Sequence, residues 1–127
     1  MTAARLEHVN VTVSDLDRTT EMLATLFGWH TRWRGAAING GETAHVGRED
    51  EYLAIFQPKA SSAPTDDNYT TTGGLNHIAV VVSDLDATEQ AVIASGFKPV
   101  NHADYEPGRR FYFHDHDGIE FEVVNYD

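Results

Sequence analysis

Leu6 to Asp17 reads LEHVNVTVSDLD, and Leu75 to Asp86 reads LNHIAVVVSDLD. The two stretches stand 69 positions apart and share VSDLD without change, so His8 falls on His77. A repeat of this kind in 127 residues marks two copies of one structural unit, each too small to bury a core alone. In the first copy Val9, Val11 and Val13 alternate with His8, Asn10 and Thr12, the period of a strand with one apolar face. Ser14 then offers an N-cap, with Asp17 three residues later where a capping-box carboxylate belongs. Leu16, Met22, Leu23, Leu26 and Phe27 form a helical stripe that Gly28 closes.

Working outward, strands are expected near Trp29–Ala36, Glu42–Val46 and Glu51–Gln57. The second copy follows the same order: a strand at Asn76–Val82, a helix capped by Ser83 and closed by Gly96, then strands near Phe97–Asp104, Arg109–His114 and Ile119–Tyr126. A tight turn is expected at Asp115–Gly118. Residues 58–74, PKASSAPTDDNYTTTGG, read as a linker or surface loop. The expectation is an α+β protein and a single domain over 1–127: repeat 1 at about 5–57, repeat 2 at about 75–127, each β-α-β-β-β. One helix covers one face of a four-stranded sheet. Two such sheets together would form a cupped, incomplete β-barrel with the helices outside.

Composition narrows the function. Net charge is −11, which disfavours nucleic-acid backbones and anionic lipid surfaces as partners. There is no cysteine, hence no disulfide frame and no thiolate chemistry. No apolar run reaches the roughly 20 residues of a membrane span, and the N-terminus lacks a signal-peptide pattern. A cytoplasmic protein with a small-molecule substrate is expected, and exposed sheet edges favour a homodimer.

With the valine face under the helix, His8 and His77 both point to the uncovered side. In the last strand Ile119, Phe121 and Val123 form the apolar set, which puts Glu120 and Glu122 on the side of His77. His8, His77 and Glu122 then make a two-histidine, one-carboxylate set with open coordination positions, suited to divalent iron, manganese, nickel or zinc. Each residue alone also has a structural reading, as a half-buried strand histidine or an edge-strand carboxylate. The position pseudo-symmetric to Glu122 falls on Leu53, leaving Glu51, two residues earlier on the same strand face, as the nearest substitute ligand. Tyr112 shares strand parity with Arg110 and His114; these three are expected on the Glu122 side, although Phe111 and Phe113 are the alternative. Arg110 would attract a substrate carboxylate or phosphate. Trp29, Trp33 and Phe56 either line an apolar pocket or fill a contact.

The paired LEHVNVTVSDLD and LNHIAVVVSDLD, with the ending FYFHDHDGIEFEVVNY, resemble the glyoxalase/bleomycin-resistance/extradiol-dioxygenase (vicinal oxygen chelate) proteins over essentially the whole chain except the linker. The resemblance implies metal ligands at His8, His77 and Glu122, with Glu51 as a possible fourth ligand in the manner of glyoxalase I. It also implies charge stabilisation on two neighbouring substrate oxygens, and proton transfer by a carboxylate such as Glu51 or Glu120. A glyoxalase-type lyase or isomerase acting on a small oxygenated metabolite is the leading expectation. Tyr112, ten residues before Glu122, and His102 are similar to the tyrosine and second histidine of extradiol dioxygenases, which supplies the first alternative. A metal-free drug- or metabolite-binding protein is the second.

Overall fold

In both copies of VSDLD the aspartate, not the serine, starts the helix. The computed structural model describes residues 2–64 and 67–127. Strand β1 spans His8–Thr12, and Asp15 accepts a hydrogen bond from the backbone N–H of Arg18, opening α1 at Leu16–Phe27. The second copy repeats the device. Strand β5 spans Ile78–Val81, and Asp84 accepts from the N–H of Ala87 to open α2 at Leu85–Ala94. The expected Ser14 and Ser83 caps are therefore corrected by one residue, since the carboxylate at the following position is the one that reaches the N3 amide. Asp17 is likewise not a capping-box residue: it ion-pairs with Arg34 Nη1 at 2.6 Å. Gly28 (φ 69°) and Gly96 (φ 90°) take the left-handed conformation that ends each helix.

The chain divides into two units, Met1–Ser62 and Ala63–Asp127. In the first, β2 (His30–Ala36), β3 (Glu42–Gly47) and β4 (Tyr52–Gln57) join β1 in the order β1-β4-β3-β2, with β1 parallel to β4 and the other pairs antiparallel. α1 packs across β2, β3 and β4. Leu16, Leu23, Val46 and Ile55 are fully buried there, each contributing about 1.5–3 kcal/mol by leaving water.

In the second unit β6 (Val100–Tyr105), β7 (Gly108–His114) and β8 (Glu120–Asn125) join β5 in the order β5-β8-β7-β6, again with one parallel pair, β5 to β8. Phe111, Phe113, Phe121 and Val123 are buried, and the rings of Phe113 and Phe121 stack at 5.2 Å. The apolar set of β8 thus lies in the core, as its alternation demands. β6 starts at Val100 rather than Phe97, because Pro99 has no N–H to give a ladder. Asp67 to Gly74 form hydrogen-bonded turns rather than a featureless linker, while Thr65 and Asp66 of that stretch lie outside the described residues.

The last strands correct the expected internal symmetry. Val9 pairs with Leu53, and its counterpart Ile78 pairs with Phe121, so the offset between copies has shrunk from 69 to 68. The structural counterpart of Glu122 is therefore Ala54, and Leu53 matches the core residue Phe121. Turns of unequal length between the strands produce this shift, which a constant offset cannot follow.

Candidate functional site

Alternation along β8 sends Phe121 and Val123 into the core and leaves Glu120 and Glu122 on the opposite face, both only 7% exposed. A carboxylate so placed needs partners. Glu122 has two: its Oε1 lies 3.0 Å from His77 Nε2, and its Oε2 accepts from Arg110 Nη1 at 2.8 Å. Tyr112 stands directly across from Glu122 in the β7–β8 register, its ring edge-on to His77 at 6.0 Å. Arg110, Tyr112 and His114 share this face, opposite Phe111 and Phe113. Burial, followed by the charge of Glu122, pushes the Tyr112 phenol above its ordinary pKa. Desolvation works against the Arg110 charge, but its hydrogen bond to Glu122 and the nearby Tyr105, over whose ring the guanidinium lies at 4.9 Å, more than offset it.

His77 Nδ1 lies 2.6 Å from Asn76 Oδ1. That oxygen accepts, so Nδ1 is the donor there, and Nε2 is the ring nitrogen that faces Glu122 Oε1. The resulting separation of 3.0 Å between nitrogen and oxygen matches two ligands at about 2.1 Å and a right angle around one divalent ion. His77 and Glu122 are thus two donors of the kinds that divalent ions take. The charge agrees: Glu120 and Glu122 against Arg110 leave this buried face short of positive charge.

Glu120 was offered by the sequence only as a proton carrier, yet it is as buried as Glu122. It accepts a hydrogen bond from the Tyr69 hydroxyl and lies 3.8 Å from His77 Nδ1 and 3.5 Å from His114 Nε2. Tyr69, Asn76, His114 and Glu120 contribute to a cavity of about 450 Å³. Tyr69 is the residue that sequence reasoning missed. It lies in the segment read as a linker, and no periodicity marks it.

In the first unit His8 repeats the arrangement of His77. Its Nδ1 lies 2.9 Å from Glu7 Oε1, an acceptor, so Nδ1 is again the ring nitrogen tied to the preceding side chain. Glu7 and Asn76 are equivalent positions of the repeat. The His8 ring stacks on Tyr52 at 5.0 Å. Glu51 does not join it there: it precedes β4, is exposed, and its carboxylate lies 3.3 Å from Arg48 Nη1. Tyr52 occupies the position beside His8 instead.

His102 is also placed differently from the sequence expectation. Val100 pairs with Tyr112 but Ala103 with Arg110, so β6 carries one extra residue, and Asn101 sits at φ 55°. This bulge turns His102 to the helix side, where its Nε2 lies 3.0 Å from Glu89 Oε1 of α2 and its ring stacks on Phe111. Among the described residues, no three His, Asp or Glu side chains gather as a metal-holding cluster.

Known proteins add to this geometry. No curated protein matches the chain. Among solved structures, a glyoxylase/bleomycin resistance protein/dioxygenase domain from Frankia sp. EAN1pec superposes with a TM-score of 0.83 at 21% identity, covering 99% of this chain and 100% of that one. A form of the fosfomycin resistance protein FosX from Listeria monocytogenes, complexed with Mn(II) and 1S,2S-dihydroxypropylphosphonic acid, gives 0.74 at 20% identity, over 97% and 93%. A glyoxalase I mutant from Zea mays gives 0.76 at 18% identity, over 95% of this chain and 46% of that one. At these identities the likeness establishes the fold. The sequence profile of one family matches residues 5–123, nearly the whole length, and the chain belongs to the Glyoxalase/Bleomycin resistance protein/Dioxygenase superfamily.

Proposed function

We propose that this protein is a metal-dependent lyase or isomerase of glyoxalase type, with His8, His77 and Glu122 as its metal ligands. The observation that carries the reading is the matched pair of histidines. Each is held through Nδ1 by the side chain just before it, so that Nε2 is the nitrogen a metal would take, in His77 by coming between Nε2 and Glu122 Oε1. Such a tether fixes tautomer and ring orientation, as outer partners of metal-bound histidines do. The Mn(II) bound by the FosX relative supports the same reading.

When bound, the ion would stabilise negative charge on two neighbouring oxygens of a small oxygenated metabolite. The chain supplies the rest. Arg110 fixes Glu122 through Oε2 and leaves Oε1 facing His77. Tyr112, whose phenol stays protonated through its raised pKa, donates a hydrogen bond to a substrate oxygen. Glu120 replaces Glu51 as the carboxylate that moves a proton, since it lies beside His77 while Glu51 pairs with Arg48. Ring-cleaving oxygen chemistry keeps Tyr112 as support but loses His102, which faces α2.

The test is calorimetric titration of chelator-treated protein with Mn(II), Ni(II), Zn(II) and Fe(II), beside His77→Ala and Glu122→Gln. One ion per chain in the parent, lost in both variants while their circular dichroism is unchanged, is the expected result. Absence of binding in the parent, or unaltered binding in the variants, overturns the reading. Substrate screening with the bound metal then follows solvent deuterium incorporation, which proton transfer produces, against oxygen consumption, which ring cleavage requires.

A further inference from the structure

Four rings, one from each strand of the first unit, form a continuous row on the face that carries His8. In the spatial order β1-β4-β3-β2 they are His8, Tyr52, His45 and Trp33. Successive centroids lie 5.0, 4.7 and 5.1 Å apart, with the first two pairs stacked and the last tilted.

A bulge completes the row. Thr31 pairs with Val46 and Trp33 with His45, so Arg32 is the extra residue of β2, and its guanidinium lies over the Tyr52 ring at 4.5 Å. Two consecutive side chains thereby reach one face, which regular alternation forbids. Gly35 makes room at the far end. A Cβ there would stand 2.6 Å from Trp33 Cζ2, so only glycine lets the indole lie against this strand.

This face has no core to fill within its unit. α1 covers the other side, and Trp33 is half exposed. The charge of Arg32 reaches the Glu7 carboxylate, which His8 and Tyr52 hydrogen-bond, but only through space. Arg34 is bound to both Asp17 and Glu42, and Arg48 to Glu51, whereas Arg32 makes no ion pair among the described residues. Flat π surfaces beside a guanidinium that holds no carboxylate at ion-pair distance suit a planar ring that carries negative charge.

We propose that His8, Tyr52, His45 and Trp33, together with Arg32, form a binding site for an aryl carboxylate or aryl 2-oxo acid. The ring stacks on the Trp33–His45 end, the anionic group meets Arg32, and the neighbouring oxygens are directed toward His8. As an identification of the substrate class this rests on the proposed metal-dependent activity. As a binding site it stands without it.

The test uses benzoylformate and metal-free protein, read by NMR through the two indole N–H resonances, Trp29 and Trp33. Benzoylformate shifts the Trp33 resonance saturably and leaves Trp29 in place. The cyclohexyl analogue binds at least tenfold more weakly. Arg32→Gln, which keeps the rings, weakens binding at least tenfold, and Trp33→Leu abolishes it by calorimetry. The proposal is overturned if no saturable shift occurs or if the cyclohexyl analogue binds equally well. It is also overturned if the Trp33 resonance responds only to protein concentration, the signature of a second copy on this face. Metal binding without benzoylformate binding sinks this inference alone. The converse leaves the aryl site standing and sinks the metal reading.

Discussion

Arg110 Nη1 holds Glu122 Oε2 at 2.8 Å, with both side chains about nine-tenths buried. A pair in this setting is costly to break, because the partner left behind is a carboxylate removed from water. Arg110→Met is expected to cost about 3 kcal/mol in urea unfolding. Saturating Mn(II) should restore more stability to the variant than it adds to the parent, since the ion supplies the missing positive charge. A variant as stable as the parent without metal would show that His77 alone compensates Glu122.

Tyr69 reaches out of the Asp67–Gly74 turns to hydrogen-bond the buried Glu120. That hydrogen bond, then burial, raises the phenol above its ordinary pKa. Burial as the leading cause does the same for Tyr52 and Tyr112. Alkaline titration followed at 295 nm should therefore show a late-ionising group of tyrosines that loses one member in Tyr69→Phe. For Tyr69 the raised folded pKa means its stabilisation is present below the unfolded value of about 10 and lost as pH rises through the folded one. Near neutrality the variant should lose about 1 kcal/mol or more, the cost of removing a donor from a buried carboxylate.

His102 provides the opposite expectation. Its partners are Glu89 and Phe111 on the helix side, and the His102–Glu89 pair is partly exposed. His102→Gln should change stability by less than about 1 kcal/mol. It should also leave metal affinity, measured by the same titration as for His77→Ala, unchanged within twofold. A tenfold loss would return His102 to the neighbourhood of the metal and contradict the bulge at Asn101.

These residues show what the sequence carries and where it stops. The strand face of Glu122 and the helix stripe were legible because alternation and repetition are properties of the chain itself, and β8 keeps Phe121 and Val123 opposite Glu120 and Glu122. Four features were not legible. The caps moved from Ser14 and Ser83 to Asp15 and Asp84 because two adjacent residues can each cap and only geometry chooses. The bulges at Arg32 and Asn101 break the period of two without any residue that announces them, which reversed His102 and hid the role of Arg32. Unequal turns displaced Leu53 from the counterpart of Glu122, and Tyr69 came from a segment with no period at all.

Asp115 closes the turn before β8 and gives a pH dependence with a definite sign. Its Oδ1 accepts the N–H groups of Asp117 and Ile119, both at 2.9 Å, while its Oδ2 is buried with no hydrogen-bond partner among the described residues. Burial pushes this carboxyl above its ordinary pKa, outweighing the two backbone hydrogen bonds and the nearby His116. The folded state therefore holds the Asp115 proton more tightly than the unfolded chain does. Its contribution to stability is fully present below the unfolded value of about 3.9, falls as pH rises through the folded value, and stays lost above it. Asp115→Asn keeps an oxygen for the two amides and removes the titration. The stability difference between parent and variant, from urea midpoints at pH 3.5 to 7, should thus favour the variant progressively as pH rises and then level off. Asp115→Ala, which leaves both amides without their acceptor, should lose about 1–3 kcal/mol at every pH. A difference between parent and Asp115→Asn that is flat from pH 3.5 upward would mean that the buried Oδ2 is solvated in solution.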